Sequence, residues 1–318
     1  MMIRKCFSQL LITFLVTCTA YSESTPSPDK RAIPSNNLAY PVLIVVSDQS
    51  SATAFYLRNE KHLYLVTAKH VLFTKPEYKL KGNKAVCLSY PEDFSAEDQI
   101  RIVVDVNSCN TQGLVKYHHA HDVVIVQIGS IIRKTDDSSV SIKFSKGVDR
   151  LNLGGNQSNI VVADVKGTKL CDDVLISNDA FIFGYPTSIG IKNNPQFEYS
   201  RPLLRKGIIA GKDLKRETII LDCPAYYGNS GGPVIEVDNV SLTERRYLLI
   251  GVLSEFIPYT EVWENKMNKL THLELSNSGY SVVTPIDKVL ELIAQYDKSA
   301  EPIAGTDSGA DPLPKSVK

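Results

Sequence analysis

Ser230 stands in Gly228-Asn229-Ser230-Gly231-Gly232-Pro233. Flanking glycines let a backbone bend sharply and aim amide N–H groups at an oxygen that gains charge, as a nucleophilic serine requires. Without a Cβ at Gly228 a reacting carbonyl can approach, and the N–H groups of Gly228 and Ser230 would converge on its oxygen. A plain glycine-rich turn containing a serine is the bland alternative. Whether chemistry follows depends on a base and an acid elsewhere. His70, in Leu65-Val66-Thr67-Ala68-Lys69-His70-Val71, ends an apolar strand able to hold an imidazole rigidly. Asp122 opens the apolar run Val123-Val124-Ile125-Val126, where a carboxylate is costly unless paired. A histidine that becomes a cation is its natural partner. His118, His119 and His121 crowd just before Asp122, and a strand would put His119 and His121 on one face. No carboxylate or cysteine sits at ligand spacing with them, so a solvated loop is expected, with no metal and no cofactor.

The elements that must position these residues read as short strands. Residues 42–46, 53–57, 63–66, 85–88, 100–106 and 123–128 are rich in Val, Leu and aromatics, with turn residues between them. A second set covers 160–165, 180–183, 207–210, 218–221, 233–237, 247–253 and 280–283. Strands without crossover helices predict an all-β, antiparallel architecture rather than alternating βα units. The polar stretch 134–155 reads as the link between two halves, and 255–278 as an irregular surface loop carrying Tyr259 and Trp263. One helix is expected at 285–297, capped by Thr284, with Asp287 near its positive end and Ile286, Val289, Leu290 and Ile293 on one face. It should dock on the second half. Residues 23–39 read as a flexible lead-in and 299–318 as a disordered tail.

The serine motif also satisfies Gly-x-Ser-x-Gly, the nucleophile elbow of α/β-hydrolases, which place serine before acid before histidine. Asp238 and His272 fit that order. No βα alternation precedes Ser230, however, and too little chain follows it to complete such a sheet.

The 318 residues balance 35 basic against 35 acidic side chains, which argues against nucleic acid as a partner. Arg4 and Lys5 precede the apolar stretch 10–16 and the small residues Cys18, Thr19 and Ala20, the pattern of a signal peptide cleaved after Ala20 or Ser22. The expectation is export to a periplasm or the medium. Leu15-Val16-Thr17-Cys18 resembles a lipobox, with Thr17 departing from it, so lipid anchoring at Cys18 is the alternative. No stretch reaches the roughly 20 apolar residues of a membrane span. Beyond the leader, Cys87, Cys109, Cys171 and Cys223 remain. Of three possible pairings we expect Cys87–Cys109 and Cys171–Cys223, each within one half of the chain.

Thr67-Ala68-Lys69-His70, His121-Asp122-Val123-Val124 and Gly228-Asn229-Ser230-Gly231-Gly232-Pro233 together resemble the three motifs of chymotrypsin-fold serine proteases. The likeness is greatest to the bacterial trypsin-like branch that includes the Deg/HtrA enzymes, and it extends over residues 40–298. Phe183-Gly184-Tyr185-Pro186, Gly251-Val252-Leu253-Ser254 and Gly279-Tyr280-Ser281-Val282-Val283-Thr284-Pro285 support it. Nothing in residues 286–318 reads as a PDZ domain, so none is expected there. The resemblance implies two six-stranded antiparallel barrels, about 40–133 and 156–284, with the site in the cleft between them. It implies Ser230 as nucleophile, His70 as base and acid, and Asp122 orienting His70. Gly228 and Ser230 would form the oxyanion hole, and Ser254 would support Asp122. Pro224, Ser254, Glu255, Phe256 and Gly279 would contact the substrate, with the strand 252–256 pairing with its backbone. The implied partners are protein or peptide substrates. A non-catalytic binding module on the same fold and an esterase are the rival readings. Asn229 departs from the Asp of animal digestive proteases, Ala54 from a usual glycine, and Lys69 from a small residue, its side chain expected at the solvent.

Overall fold

The computed structural model describes residues 33, 35–47, 50–91, 99–133, 140–151, 159–186, 198, 200–241, 244–265 and 267–299. The expected signal peptide, the lipobox cysteine and almost all of the tail lie outside the described residues. The first half contains β1 (Pro41–Ser47), β2 (Ser50–Arg58), β3 (His62–Thr67), the single-turn helix α1 (Lys69–Leu72), β4 (Lys84–Ser89), β5 (Ile100–Asp105) and α2 (Val106–Thr111). It continues through β6 (Val115–Tyr117), β7 (Val124–Arg133), β8 (Val140–Phe144), β9 (Val148–Leu151) and β10 (Ala163–Asp164). The second half contains β11 (Asp179–Gly184), β12 (Leu203–Asp213), β13 (Thr218–Asp222), β14 (Pro233–Asn239), β15 (Arg245–Asn265), β16 (Leu270–Pro285) and the helix α3 (Ile286–Ser299).

The all-β, chymotrypsin-like class expected from the sequence holds. The second half closes as a barrel of six strands in the order β11-β12-β13-β16-β15-β14. The first is a 10-stranded sheet, ordered β6-β7-β3-β2-β1-β4-β5-β9, with β8 on β7 and β10 parallel to β2. It exceeds the expected six by four strands: β8 and β9, from the stretch read as a link, pair with β7 and β5, the short β6 pairs with β7, and β10, expected in the second half, pairs with β2. The polar composition of β8 and β9 suits strands with an exposed face. The lead-in also ends in structure. Ser35–Ala39 forms a 3-10 turn, and Ile33 and Leu38 pack against Phe181, Phe183 and Ile235 of the second barrel.

Strands β2, β3 and β7 are apolar on both faces for a reason visible in the packing. Leu63, Leu65, Val124 and Val126 fill the first sheet's own core. Their neighbours Tyr64, Val66, Val123 and Ile125 point the other way, into a second cluster with Val252 and the α3 residues Ile286, Val289, Leu292 and Tyr296. Helix α3 therefore does not dock on the second half alone. It clamps the first-half strands, and Tyr296 Oη–H donates to the carbonyl of Leu114 at 2.7 Å.

Two further expectations are corrected. The segment 255–278 is no irregular loop: β15 and β16 pair continuously from Pro258↔Asn277 out to Asn265↔Leu270, forming a long two-stranded ribbon. Polar residues at both its faces masked the alternation. The four cysteines are free thiols. Cys87 and Cys109 share the first core and Cys223 lies in the second, with Cys171 packed beside it. Burial pushes the Cys87 thiol up to about 12, and those of Cys109 and Cys223 up to about 11, so they behave as small apolar groups.

Candidate active site

His70 lies within the turn of helix α1 that follows β3, not at the strand end. Phe73 N–H bonds to Lys69 O at 3.0 Å and Val71 N–H to Ala68 O at 3.0 Å, closing that turn. One carboxylate takes both the backbone and the ring of the histidine. Asp122 Oδ1 accepts the His70 N–H at 2.9 Å, and Oδ2 lies 2.5 Å from His70 Nδ1. Burial pushes the Asp122 carboxyl up, but the hydrogen bond and charge of His70 outweigh it and leave the group below its ordinary value. The pair is thus built to hold negative charge on Asp122.

Lys69, expected at the solvent, is buried at 3% exposure. Its ammonium donates to the carbonyls of His118 at 2.6 Å and His119 at 3.1 Å, and sits 4.7 Å from the centre of the Tyr78 ring. A positive charge on α1 therefore gathers the loop that delivers Asp122. The other side of that loop is tied to the second half. His118 Nε2 lies 3.2 Å from Glu291 Oε2 on α3, and His121 Nε2 lies 3.2 Å from Glu217 Oε2, while Lys288 bridges both glutamates. His118 and His121 serve this network, and His119 is exposed.

The serine loop is held from across the molecule. Thr53 on β2, fully buried, donates its hydroxyl to Gly228 O at 2.7 Å and accepts from Tyr185 N–H at 3.0 Å. Its own N–H reaches Ser230 O at 3.0 Å, and Thr67 Oγ1 donates to Thr53 O at 2.8 Å. Gly231 has φ +86°, and a Cβ there would meet Thr53 O at 2.1 Å, which only glycine avoids. Within the loop, Asn229 N–H bonds to Tyr226 O, Gly231 N–H to Leu253 O and Gly232 N–H to Asn229 O. Asn229 Oδ1 accepts from Tyr226 N–H at 3.1 Å, so this buried side chain needs no cation. Among the described residues the N–H groups of Gly228 and Ser230 have no hydrogen-bond partner.

His70, Asp122 and Ser230 line one cleft of about 580 Å3 together with Ser254, Glu255 and Phe256. Ser230 Oγ–H is directed at the carbonyl of Ser254, 3.3 Å away. The Ser254 hydroxyl, expected to support Asp122, instead shares a 2.6 Å bond with Thr284 Oγ1, the side chain expected to cap α3. Pro224 and Gly279 are outside the cleft lining, whereas Ala225, Tyr226 and Tyr227 are in it. Sequence reading missed Thr53 and Lys69, because their partners lie 175 and about 50 positions away and no local spacing announces them.

Residues 52–241 match the family model of the trypsin-like peptidase domain. No curated protein matches the chain. Among solved structures, one titled "Crystal structure of Deg5" matches over 80% of this chain and 90% of its own, at 15% identity and a TM-score of 0.41. Another, "HtrA-type protease AlgW with tripeptide", matches over 84% of this chain and 65% of its own, at 14% identity and a TM-score of 0.43.

Proposed function

Because the chain belongs to the trypsin-like peptidase family, we propose that it is an exported serine endopeptidase working through Ser230, His70 and Asp122. The observation that carries this reading is the His70–Asp122 pair facing the same cleft as Ser230. Ser230 Oγ turns from Ser254 O, attacks the substrate carbonyl carbon and passes its proton to His70 Nε2. The oxyanion rests on the N–H groups of Gly228 and Ser230. His70 then protonates the departing amine as the C–N bond breaks, leaving an ester on Ser230. Water attacks that ester, its proton passing through His70 back to Ser230 Oγ as the ester bond breaks. Asp122 accepts the Nδ1–H throughout, fixing the tautomer and stabilising the cation.

Ser230→Ala should lower kcat by on the order of 10⁶ with the fold intact, and Asp122→Asn by about 10⁴. A phosphonate probe should label Ser230 alone. Peptide hydrolysis that survives Ser230→Ala rules the reading out. At the residue before the scissile bond an uncharged, small-to-medium apolar side chain such as Val, Ala or Leu is expected. Leu253, Ala225 and Phe256 line the cleft and offer a buried cation no charge to pair with. Glu255 also lines it and is exposed. In a peptide library, a dominant Arg or Lys that disappears in Glu255→Gln would reassign the choice to that carboxylate. Export rests on the leader, and among the described residues no helix is long and apolar enough to cross a membrane. N-terminal sequencing of the exported protein should find a start after Ala20 or Ser22.

A further inference from the structure

Past the barrel wall, the β15–β16 ribbon belongs to neither core. Pairing of β14 with β15 ends at Val252, and pairing of β13 with β16 covers Tyr280–Val283. From Pro258↔Asn277 outward the two strands pair only with each other among the described residues. Opposed residues in an antiparallel pair share a face, as do residues two apart. Pro258, Asn277 and Leu275 therefore share one face, and all three line the cleft that holds His70 and Ser230. That face continues outward through Thr260, Val262 and Leu273, and Val262, Leu273 and Leu275 are 57%, 58% and 63% exposed. Alongside it, among the described residues, no strand covers the outer backbone edge of β15 from Glu255 to Asn265. An open edge beside exposed apolar side chains is a template for a further strand.

We propose that this ribbon prolongs the substrate groove and takes an extended, apolar polypeptide segment that precedes the scissile bond. The inference rests on the peptidase reading of the cleft. The segment adds antiparallel to β15, the stronger pairing, so that residues N-terminal to the cut run outward along the ribbon. Side chains at alternate positions then lie beside Pro258, Thr260 and Val262, with Leu275 and Leu273 extending the same apolar face one strand further in. Roughly ten residues fit beside Glu255–Asn265, one for each residue of strand. The substrate class is unfolded or extended protein with alternating apolar residues, not a short peptide. Glu264 on this face, with Glu261 and Glu274 on the opposite one, disfavours burial of the ribbon in a lipid bilayer.

The test compares two fluorogenic peptides identical for four residues before the cut, one extended N-terminally by eight residues of alternating Leu and Ser. The protein should cleave the extended peptide with at least tenfold higher kcat/KM, mainly through KM. The double variant Val262→Ser/Leu273→Ser should bring the ratio of the two near one, while Trp263→Gln, on the opposite face, keeps it. Equal cleavage of both peptides by the unaltered protein, or a ratio that survives the double variant, overturns the proposal. Fluorescence anisotropy of the labelled extended peptide on Ser230→Ala protein reads binding without turnover, and the double variant should weaken it at least tenfold. No cleavage of either peptide with binding retained counts against the catalytic reading and not the ribbon. Absent binding, overturning outcomes are a dimer in sedimentation or attachment to phosphatidylglycerol vesicles that the double variant abolishes.

Discussion

At the scale of single residues, the site depends on a cation that resembles no catalytic group. Lys69 is 3% exposed and satisfies two carbonyls of the loop ahead of Asp122. Lys69→Met fills the space but leaves both carbonyls unpaired, and should cost about 2 kcal/mol of stability, from hydrogen bonds to a charged donor. Because His70 and Asp122 sit on the two elements it joins, kcat should fall more than KM rises; urea unfolding and steady-state kinetics check the two effects. The thiols offer a second test. Cys87, Cys109 and Cys223 should resist iodoacetamide in the native protein and label fully after unfolding without reductant; labelling that requires reductant would mean they are bridged. His70, Asp122 and Ser230 were legible because each sits in a run whose composition speaks for itself: a buried strand, a carboxylate before apolar residues, a serine among glycines. Lys69 was not, since a lysine beside histidine reads as solvent-facing until the carbonyls above it are known. Even cysteine count misled, because packing as well as bridging retains a thiol.

At the scale of elements, the strands of the first half were read near their observed bounds, their apolar runs being dense. The ribbon was missed for the opposite reason. Glu261 and Glu274 share one face with Trp263 and His272, while Thr260, Glu264 and Thr271 interrupt the other, so neither face is uniformly apolar and periodicity gives no signal. Helix α3 was placed within a few residues, but its docking partner was not, since a helix's apolar stripe does not name the surface it covers. Its contact with the Asp122 loop makes a pH prediction. Burial lowers the titration of His118 below its ordinary 6.5, although its bond to Glu291 works against that. The unfolded chain then binds more protons than the folded one just below pH 6.5, so stability declines as pH falls through that range. In His118→Asn, the amide oxygen can still accept from the N–H groups of Ala120 and His121, now held at 3.2 and 3.0 Å by Nδ1. That variant should show a flatter dependence of urea midpoint on pH between about 7 and 5; an unchanged slope would mean other groups set it.

At the scale of the whole molecule, the proposed chemistry is divided between the halves and shape is lent across them. His70 and Asp122 belong to the first sheet and Ser230 to the second barrel, yet the loop bearing Ser230 takes its curvature from Thr53 on β2. Thr53→Val keeps the volume and strips the buried Gly228 carbonyl and Tyr185 N–H of their partner, at a cost of roughly 2–4 kcal/mol. Activity should drop far more than that loss of folded protein explains, because Gly228 is free to leave its φ of +96°. Phosphonate labelling rates at temperatures well below the melting point would separate the two, and a rate like that of the unaltered protein would refute the role of Thr53. The all-β, antiparallel plan was legible from the strand runs; the two six-stranded barrels were implied by the resemblance, and only the second half closes as one. The crossing bond was not, since 175 residues separate its ends. During synthesis Thr53 leaves the ribosome long before Gly228 does, so on the proposed peptidase reading the chain holds its base before its nucleophile, and the serine loop takes its shape only once the two halves meet.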